Sequence, residues 1–356
     1  MGRDTGLEVN KGNLSRWQAG TCRTAPLDHP NTFARRSAPG NESSNSPHVR
    51  VSWLQSETTR AHTNWQSSTR RFTAWALAST EQVGNRLTSP DAMNLDHCHA
   101  LITGASTGIG REFAHELAGR AQSLILVARR EQELNKLRDE LIRNRADLTV
   151  HVHKTDLADL SQIDELVGWL DREKLSVDFL INNAGLGDLG DFATSEAQRN
   201  EEMLLVNAVA LTSLTRKLLP GMITIKRGAI LNVSSSAGFL PIPGFAVYAA
   251  TKAYVTSFSE ALRAELRGTG VTVCTLCPGP VRTEFNQVAE RLGQSRDRSP
   301  EFVYVSVENV VRAGLRAIER EQALVIPGFI MKLGMFLVRI TPLPILRLAW
   351  RLSAKR

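Results

Sequence analysis

The segment AVYAATKAY places a tyrosine and a lysine four residues apart, Tyr248 and Lys252. The surrounding apolar residues recur at helical spacing, so we expect both side chains on one face of a helix, about one turn apart. A cation in this position favours the phenolate, which would lower the pKa of Tyr248 from about 10 towards neutrality. The pair therefore predicts a general acid or base, although an exposed tyrosine and lysine on a helix is the more common occurrence of this spacing.

A serine stands thirteen residues before Tyr248, directly after the apolar run AILNVS. Strand ends face ligands in open α/β sheets, so the hydroxyl of this residue, Ser235, is placed to donate a hydrogen bond to a substrate oxygen. Ser234 and Ser236 are the local alternatives, and their ordinary role is hydrogen bonding within the turn.

The segment TGASTGIG follows an apolar run and leads into a helical pattern, the context that a phosphate-binding turn requires. We expect Gly104 to permit the tight turn, Gly108 to let the backbone approach a pyrophosphate, and Gly110 to permit close packing of the helix on the sheet. No Lys-Ser or Lys-Thr pair follows, which excludes a P-loop; a glycine-rich turn without ligand is the alternative. The predicted cofactor contacts in the loop are Gly104, Ser106, Thr107, Gly108, Ile109 and Gly110.

The second apolar run, LILVA, is followed by two arginines, Arg129 and Arg130. An acid at the end of this strand would bind a ribose 2′-hydroxyl, but the position holds Ala128. A guanidinium suits a 2′-phosphate by its charge and forked geometry. We therefore predict NADP(H) as the cofactor, with Arg129 as the phosphate contact and NAD(H) as the alternative. The alternative interpretation is that the two arginines are solvated side chains at the start of a helix and contact no phosphate.

Short apolar runs alternate with amphipathic segments of helix length from Cys98 onward, which predicts a parallel sheet. We predict strands at 98–103, 123–128, 148–152, 177–182, 229–234, 271–277 and 323–327. The segments between them predict right-handed crossover helices, and Ser306 is the expected N-cap of a helix at 306–320. The predicted fold is a Rossmann-like α/β domain, a doubly wound parallel sheet of about seven strands with helices on both faces.

Charge and composition exclude several classes of protein. The formal net charge of +7 arises at the two ends of the chain, because residues 93–321 carry 26 basic and 29 acidic side chains. No nucleic-acid partner is therefore expected. Cys274 and Cys277 form a C-x-x-C within a predicted strand, where two buried thiols are favoured over a redox or zinc motif. His151 and His153 share a strand face without a third ligand, so no metal site is predicted.

Five motifs together resemble the short-chain dehydrogenase/reductase family, in its common single-domain branch. TGASTGIG is similar to the family's G-x-x-x-G-x-G loop, and INNAG at 181–185 is similar to its N-N-A-G strand end. LLVNAVAL resembles the segment with the catalytic asparagine, here Asn207. Ser235, Tyr248 and Lys252 match the catalytic trio, and PGPVRT at 278–283 completes the set. The resemblance spans residues 98–327, and the order and spacing of the motifs are far more specific than any one motif.

The resemblance implies a role for each matched residue. Tyr248 would transfer the proton, and Lys252 would lower the pKa of Tyr248 and hold the nicotinamide ribose. Ser235 would polarise the carbonyl, and Asn207 would hold a water that links Lys252 to solvent. The implied cofactor contacts outside the glycine loop are Arg129, Asp156, Leu157, Asn183, Ala184, Gly185, Tyr248, Lys252, Pro278, Gly279, Val281 and Thr283. Many members that use NADP(H) carry a basic residue at the position of Thr107, so the predicted preference depends chiefly on Arg129.

We accordingly predict an NADP(H)-dependent oxidoreductase that interconverts a carbonyl and a secondary alcohol of an apolar small molecule. The resemblance implies a homo-oligomer, a dimer or a tetramer. One alternative is a non-catalytic NADP(H)-binding sensor or partner protein, against which the complete catalytic set speaks, because binding alone needs no general acid. A dehydratase or epimerase with the same Y-x-x-x-K spacing is disfavoured by the spacing of the glycines.

Two extensions flank the predicted catalytic domain, which spans residues 93–328. Residues 1–92 are polar and lack sustained periodicity, so we interpret them as a disordered or removable extension, with Met93 as the expected first residue of the functional enzyme. Residues 329–356 are basic and apolar, and we expect them to pack as a helix on protein, with peripheral membrane contact as the alternative. The expected location is the cytoplasm, with organelle targeting by residues 1–92 as a second interpretation.

Overall fold

A seven-stranded parallel sheet forms the centre of the computed structural model, which describes residues 93–289, 300–342 and 344–348. The strands are β1 His99–Thr103, β2 Ser123–Ala128, β3 Thr149–Lys154, β4 Phe179–Asn182, β5 Gly228–Val233, β6 Val271–Leu276 and β7 Leu324–Val325. They lie in the order β3-β2-β1-β4-β5-β6-β7. The predicted Rossmann-like fold is confirmed, whereas the predictions for residues 1–92 lie outside the described residues.

Helices connect the strands and cover both faces of the sheet. They are α1 Gly108–Ala118, α2 Glu131–Asn144, α3 Leu160–Arg172, α4 Ala197–Leu204, α5 Leu211–Thr224, α6 Ala246–Glu265, α7 Glu284–Ala289, α8 Val307–Glu319 and α9 Phe329–Ile340. A π-helical turn, Leu205–Ala210, joins α4 to α5. The predicted cap of α8 is present, because the Ser306 hydroxyl accepts a hydrogen bond from the Asn309 amide at 3.3 Å.

The alternation of side chains along each strand divides the core into two layers. In β1, Ala100 and Ile102 pack on one face with residues of α1, α2 and α8, and Leu101 packs on the other face with residues of α3, α5 and α6. Both faces of the central strands are therefore buried, which is why these strands are continuous apolar runs in the sequence. This rigid sheet holds the loops at its carboxyl edge.

The cysteine and histidine pairs that the sequence offers for other chemistry are packed against the domain. Cys274 and Cys277 are fully buried free thiols, and burial raises the pKa of each to about 12. His151 and His153 pack against Trp169, with ring centroids 6.1 and 4.8 Å apart, and burial lowers the pKa of both imidazoles. No cluster of three or more metal-binding side chains occurs within the described ranges.

Helix α9 lies at the surface and exposes several large apolar side chains. We define the outer face of α9 as Phe329, Ile330, Leu333, Phe336, Leu337 and Ile340, each of which is exposed. Met331 and Met335 point the other way and are half-buried. The predicted C-terminal helical extension is confirmed over 329–340 and 344–348, and its residues 349–356 lie outside the described residues. No helix in the described part of the chain is both long and apolar enough to cross a membrane.

Candidate active site

A cavity of about 1060 Å³ lies at the carboxyl ends of the strands. Its wall contains residues that follow β1, β2, β3, β4, β5 and β6. It spans the junction between the neighbouring strands β1 and β4, where the chain, after adding β2 and β3 on one side of β1, continues on the other side. Ligands of open α/β sheets bind at such a topological switch point. The cavity brings the predicted glycine loop and three of the four predicted catalytic side chains, Ser235, Tyr248 and Lys252, into one space.

The glycine loop between β1 and α1 forms one end of the cavity. Gly104 and Gly108 have φ angles of +66° and +54°, a left-handed backbone that favours glycine. A Cβ atom on Gly110 would collide with the carbonyl oxygen of Gly104, so Gly110 permits the close approach of α1 to the loop. Gly110 does not line the cavity, and its role as a cofactor contact stays a prediction beside the packing role that was also expected. The other predicted loop residues all line the cavity.

The strand end after β4 holds the glycine loop in place. The Asn183 side-chain amide donates to the carbonyl oxygens of Thr103 at 2.9 Å and Gly104 at 3.3 Å. Asn183, Ala184 and Gly185 all line the cavity, as predicted. A Cβ atom at Gly185 would lie 3.4 Å from the Lys252 ammonium nitrogen, so glycine leaves room for that amine.

Arginine side chains follow β2 at the same end of the cavity. Arg129 and Arg130 both line it, and no acid is present at Ala128. The Arg130 guanidinium donates to the Ser106 hydroxyl at 3.3 Å and forms an ion pair with Glu284 at 3.0 Å. The sequence singled out Arg129 as the phosphate contact, which stays a prediction, and it is Arg130 whose side chain reaches the glycine loop directly. Asp156 and Leu157, after β3, lie on the adjacent wall.

Helix α6 presents Tyr248 and Lys252 on one buried face, as their spacing predicts. The Lys252 ammonium nitrogen lies 5.8 Å from the Tyr248 ring centroid and donates to the Val233 carbonyl oxygen at 2.9 Å. Ser235 follows β5, and its hydroxyl oxygen accepts a hydrogen bond from the Ala237 amide at 3.1 Å. Burial raises the pKa of Tyr248, and a hydrogen bond with the same hydroxyl partly opposes that rise. The three predicted side chains therefore meet at one wall of the cavity.

Burial controls the ionisation of this pair. It raises the pKa of Tyr248 to about 12, more than the hydrogen bond with Ser235 lowers it, and it lowers the pKa of Lys252 to about 8. The expected lowering of the tyrosine pKa is thus wrong for this structure, because desolvation of the buried phenolate is the largest influence on this group. At neutral pH Tyr248 carries its proton, which suits donation to a substrate oxygen.

Asn207 lies behind the cavity wall and does not line it. It is buried in the π-helical turn, where its side-chain oxygen accepts from the Leu186 amide at 2.8 Å. Its side-chain nitrogen donates to the Leu186 carbonyl oxygen at 2.9 Å and to the Thr251 hydroxyl at 3.0 Å. Asn207 therefore joins the segment after β4 to α6. The water-holding role that the resemblance implies stays a prediction.

The segment after β6 covers the cavity beside the glycine loop. Pro278, Gly279, Val281 and Thr283 line the cavity, as predicted. A Cβ atom on Gly108 would lie 3.2 Å from the Thr283 methyl carbon, so this segment touches the glycine loop. A Cβ atom on Gly279 would lie 2.8 Å from Cγ of Met331, so Gly279 makes room for α9.

The remaining wall is apolar and was not foreseen from the sequence. The Tyr248 ring lies between two aromatic rings, with centroid distances of 4.8 Å to Phe245 and 5.6 Å to Phe285. Further apolar lining residues include Leu186, Leu189, Leu240, Ile242, Val288, Met331 and Met335. They come from four separate segments, and no motif marks them. The phenol that would donate a proton thus faces apolar surroundings.

Sequence comparisons with known proteins all indicate the same family. The family model described as short chain dehydrogenase matches residues 98–292. Sulfoacetaldehyde reductase of Chromohalobacter salexigens is 40% identical over 193 residues, which cover 52% of this chain and 74% of that protein. An NADP-dependent 3-hydroxy acid dehydrogenase of Escherichia coli strain K12 is 37% identical over 191 residues, covering 53% and 75%.

Solved structures agree with these sequence matches. A short-chain dehydrogenase from Sphingobium yanoikuyae in complex with NADPH has a TM-score of 0.58 at 31% identity, covering 65% of this chain and 87% of that chain. The family match at 98–292 contains the glycine loop and all four predicted catalytic residues. Helices α8 and α9 lie beyond it.

Proposed function

Since this chain belongs to the short-chain dehydrogenase family, we propose that it interconverts a carbonyl and a secondary alcohol, with Tyr248 as general acid and base and NADP(H) as the hydride carrier. The observation that carries this proposal is the meeting of Ser235, Tyr248 and Lys252 at one wall of a cavity whose far end is the glycine loop. An apolar substrate is favoured, because aromatic and aliphatic side chains surround the phenol.

NADP(H) fits the residues that are present. The left-handed turn at Gly104 and Gly108 exposes backbone amides at the start of α1, where a pyrophosphate binds favourably. Ala128 leaves no carboxylate to repel a 2′-phosphate, and the guanidinium groups of Arg129 and Arg130 lie on the cavity wall to attract it. When bound, NADP(H) supplies or accepts the hydride. NAD(H) is the alternative that the experiment below tests.

The protein's own groups supply the proton and orient the substrate. In the reductive direction, the neutral Tyr248 phenol donates its proton to the carbonyl oxygen, and the Ser235 hydroxyl donates a hydrogen bond to the same oxygen. Lys252 then returns a proton to Tyr248, which its pKa of about 8 permits near neutral pH. Asn207 positions the segment after β4 against α6 and, by resemblance, holds the water that reloads Lys252.

A panel of carbonyl compounds graded by chain length and polarity tests the proposal. NADPH oxidation should occur with some members and should be most efficient with apolar ones. NADPH should be used much better than NADH with every accepted carbonyl. A protein that binds NADPH but turns over no member of the panel would be the non-catalytic sensor. Equal efficiency with the two cofactors would contradict the preference for NADP(H).

Assembly and location belong to the same proposal. We propose a homo-oligomer, a dimer or a tetramer, because Leu204, Val209 and Tyr254 expose apolar surface on α4, the π-helical turn and α6. Sedimentation velocity of the purified protein measures this directly.

The proposed location is the cytoplasm, with organelle targeting by residues 1–92 as the competing outcome of a cell fractionation experiment.

A further inference from the structure

The outer face of α9 is an apolar stripe that the domain does not cover. Phe329, Leu333, Phe336 and Ile340 recur at helical spacing, and Phe329 is 81% exposed. The short helix at 344–348 adds exposed Ile345 and Leu348. Single exposed apolar residues are normal on a protein surface, but a contiguous apolar helix face indicates a binding surface.

Basic side chains border this stripe. Lys332 and Arg339 are seven residues apart, two helical turns, so they lie on the same flank of α9, and both are exposed. Arg347 is exposed on the following helix. Residues 322–356 contain six basic and no acidic side chains. Long basic side chains beside an apolar face can extend to lipid headgroups while the face enters the headgroup boundary.

We propose that the outer face of α9 binds the surface of an anionic lipid membrane. A second copy of the chain fits less well, because a two-fold contact through this face would bring Lys332 and Arg339 of one protomer near the same cations of the other. A protein partner would need carboxylates matched to three separate cations. An anionic bilayer supplies negative charge along the whole flank and an apolar interior for the stripe.

The opposite face of α9 connects this surface with the active site. Met331 and Met335 line the cavity that contains Tyr248, and Met331 packs against Gly279. Val288 also lines the cavity and stays exposed, so the cavity has an apolar rim. We therefore infer that the substrate is an apolar carbonyl or alcohol taken from the membrane; this second part rests on the proposed function.

Vesicle binding of the full-length protein tests the surface without requiring turnover. Wild-type protein should sediment with vesicles of phosphatidylcholine mixed with phosphatidylglycerol and much less with phosphatidylcholine alone. Combined Phe336→Ser and Leu337→Ser should weaken partition about tenfold or more, since two apolar side chains leave the lipid. Combined Lys332→Glu and Arg339→Glu should remove the preference for the anionic lipid. Ile225→Ser, which changes an equally exposed apolar residue after α5, is the matched control and should bind as wild type does.

Two results would overturn the docking proposal. One is wild-type protein that stays in the supernatant with both vesicle types. The other is a Phe336→Ser and Leu337→Ser variant that dissociates an oligomer in sedimentation velocity while its vesicle partition is unchanged, which would assign the face to a second copy.

Kinetics separate the docking from the proposed function. A long-chain carbonyl presented in mixed vesicles should be reduced more slowly by the Phe336→Ser and Leu337→Ser variant, whereas a short water-soluble carbonyl should be reduced at the wild-type rate. If the variant reduced both the long-chain and the short carbonyl at the wild-type rate, the membrane would not be the source of the substrate. Vesicle binding without turnover of any carbonyl would support docking and reject the proposed function.

Discussion

Helices α6 and α9 line the same cavity and depart from the usual distribution of polarity in opposite directions. Helix α6 buries Tyr248 and Lys252, with Lys252 only 4% exposed. Helix α9 leaves Phe336 56% exposed. Buried polar groups and exposed apolar groups both cost free energy unless something compensates them. We propose that α6 keeps this cost because catalysis requires the two buried groups. On α9 we propose that contact with a membrane covers the exposed apolar side chains.

The largest effect that tests this comparison is expected from Tyr248→Phe. Loss of the general acid should lower kcat/KM for carbonyl reduction about 10³-fold, while NADPH binding measured by fluorescence titration stays near the wild-type value. Tyr254→Phe on the same helix is the matched control, because Tyr254 is exposed and lies outside the cavity lining. A Tyr248→Phe variant with wild-type turnover would remove the reason for burying a phenol on α6.

Lys252→Met should abolish activity and raise the free energy of unfolding by on the order of 2 kcal/mol at neutral pH. The reason is that burial of the ammonium group destabilises the folded state, and methionine removes the charge. The pKa of Lys252 falls from 10.5 to about 8 on folding, so only the unfolded chain binds this proton between those values. The wild-type free energy of unfolding should gain a rising contribution from this residue between pH 8 and 10.5.

The Lys252→Met variant should lack that contribution. Denaturant unfolding of both proteins at each end of the range measures it. Over most of the same range Tyr248 contributes little, since its pKa rises on folding from 10 to about 12 and its proton becomes relevant only above pH 10. A variant less stable than wild type at pH 7 would show that the amine stabilises the fold.

Replacing Arg129 and Arg130 together with alanine should raise KM for NADPH about ten- to a hundredfold and leave KM for NADH nearly unchanged, as expected for loss of charged hydrogen bonds to a phosphate. Steady-state kinetics with each cofactor give the ratio. Arg138→Ala on α2, the helix that follows these arginines, controls for the loss of a surface charge, since Arg138 pairs with Asp139. An equal loss with both cofactors would indicate general damage to the cavity.

The smallest effect is expected on the outer face of α9. Phe336→Ser should change the free energy of unfolding by less than about 0.5 kcal/mol, because the side chain is exposed. Met335→Ser, one residue earlier on the cavity side, should instead raise KM for an apolar carbonyl. Thermal unfolding and kinetics of the two variants compare the faces directly. A larger loss of stability in Phe336→Ser would mean that this face packs on protein.

The sequence predicted the sheet and the shared helix face of Tyr248 and Lys252 well, because both depend on local patterns. The strand at 98–103 is observed as β1 His99–Thr103, and the spacing of Tyr248 and Lys252 placed both on one buried face. The strand at 323–327 is shorter than expected, since β7 Leu324–Val325 pairs with β6 at the edge of the sheet.

Features that join distant segments could not be predicted in the same way. The ion pair of Arg130 with Glu284 connects residues 154 positions apart. Met331 and Met335 reach the cavity only because α9 packs on Gly279. The raised pKa of Tyr248 depends on how deeply the phenol is buried, and no spacing rule reports that depth.

The π-helical turn at Leu205–Ala210 has a consequence for the chain's tolerance of changes in length. A π turn contains one residue more than the α-helix it interrupts. Deleting a single residue there would let α4 and α5 join as one regular helix, because the wider turn with its extra residue rotates the chain through nearly the same angle as the regular turn that would replace it. Side chains on α4, among them the fully buried Met203, would keep their orientation. Among homologous sequences aligned to this segment, a one-residue gap should therefore be found more readily here than inside α4 or α5, where it would rotate the flanking side chains by about 100°.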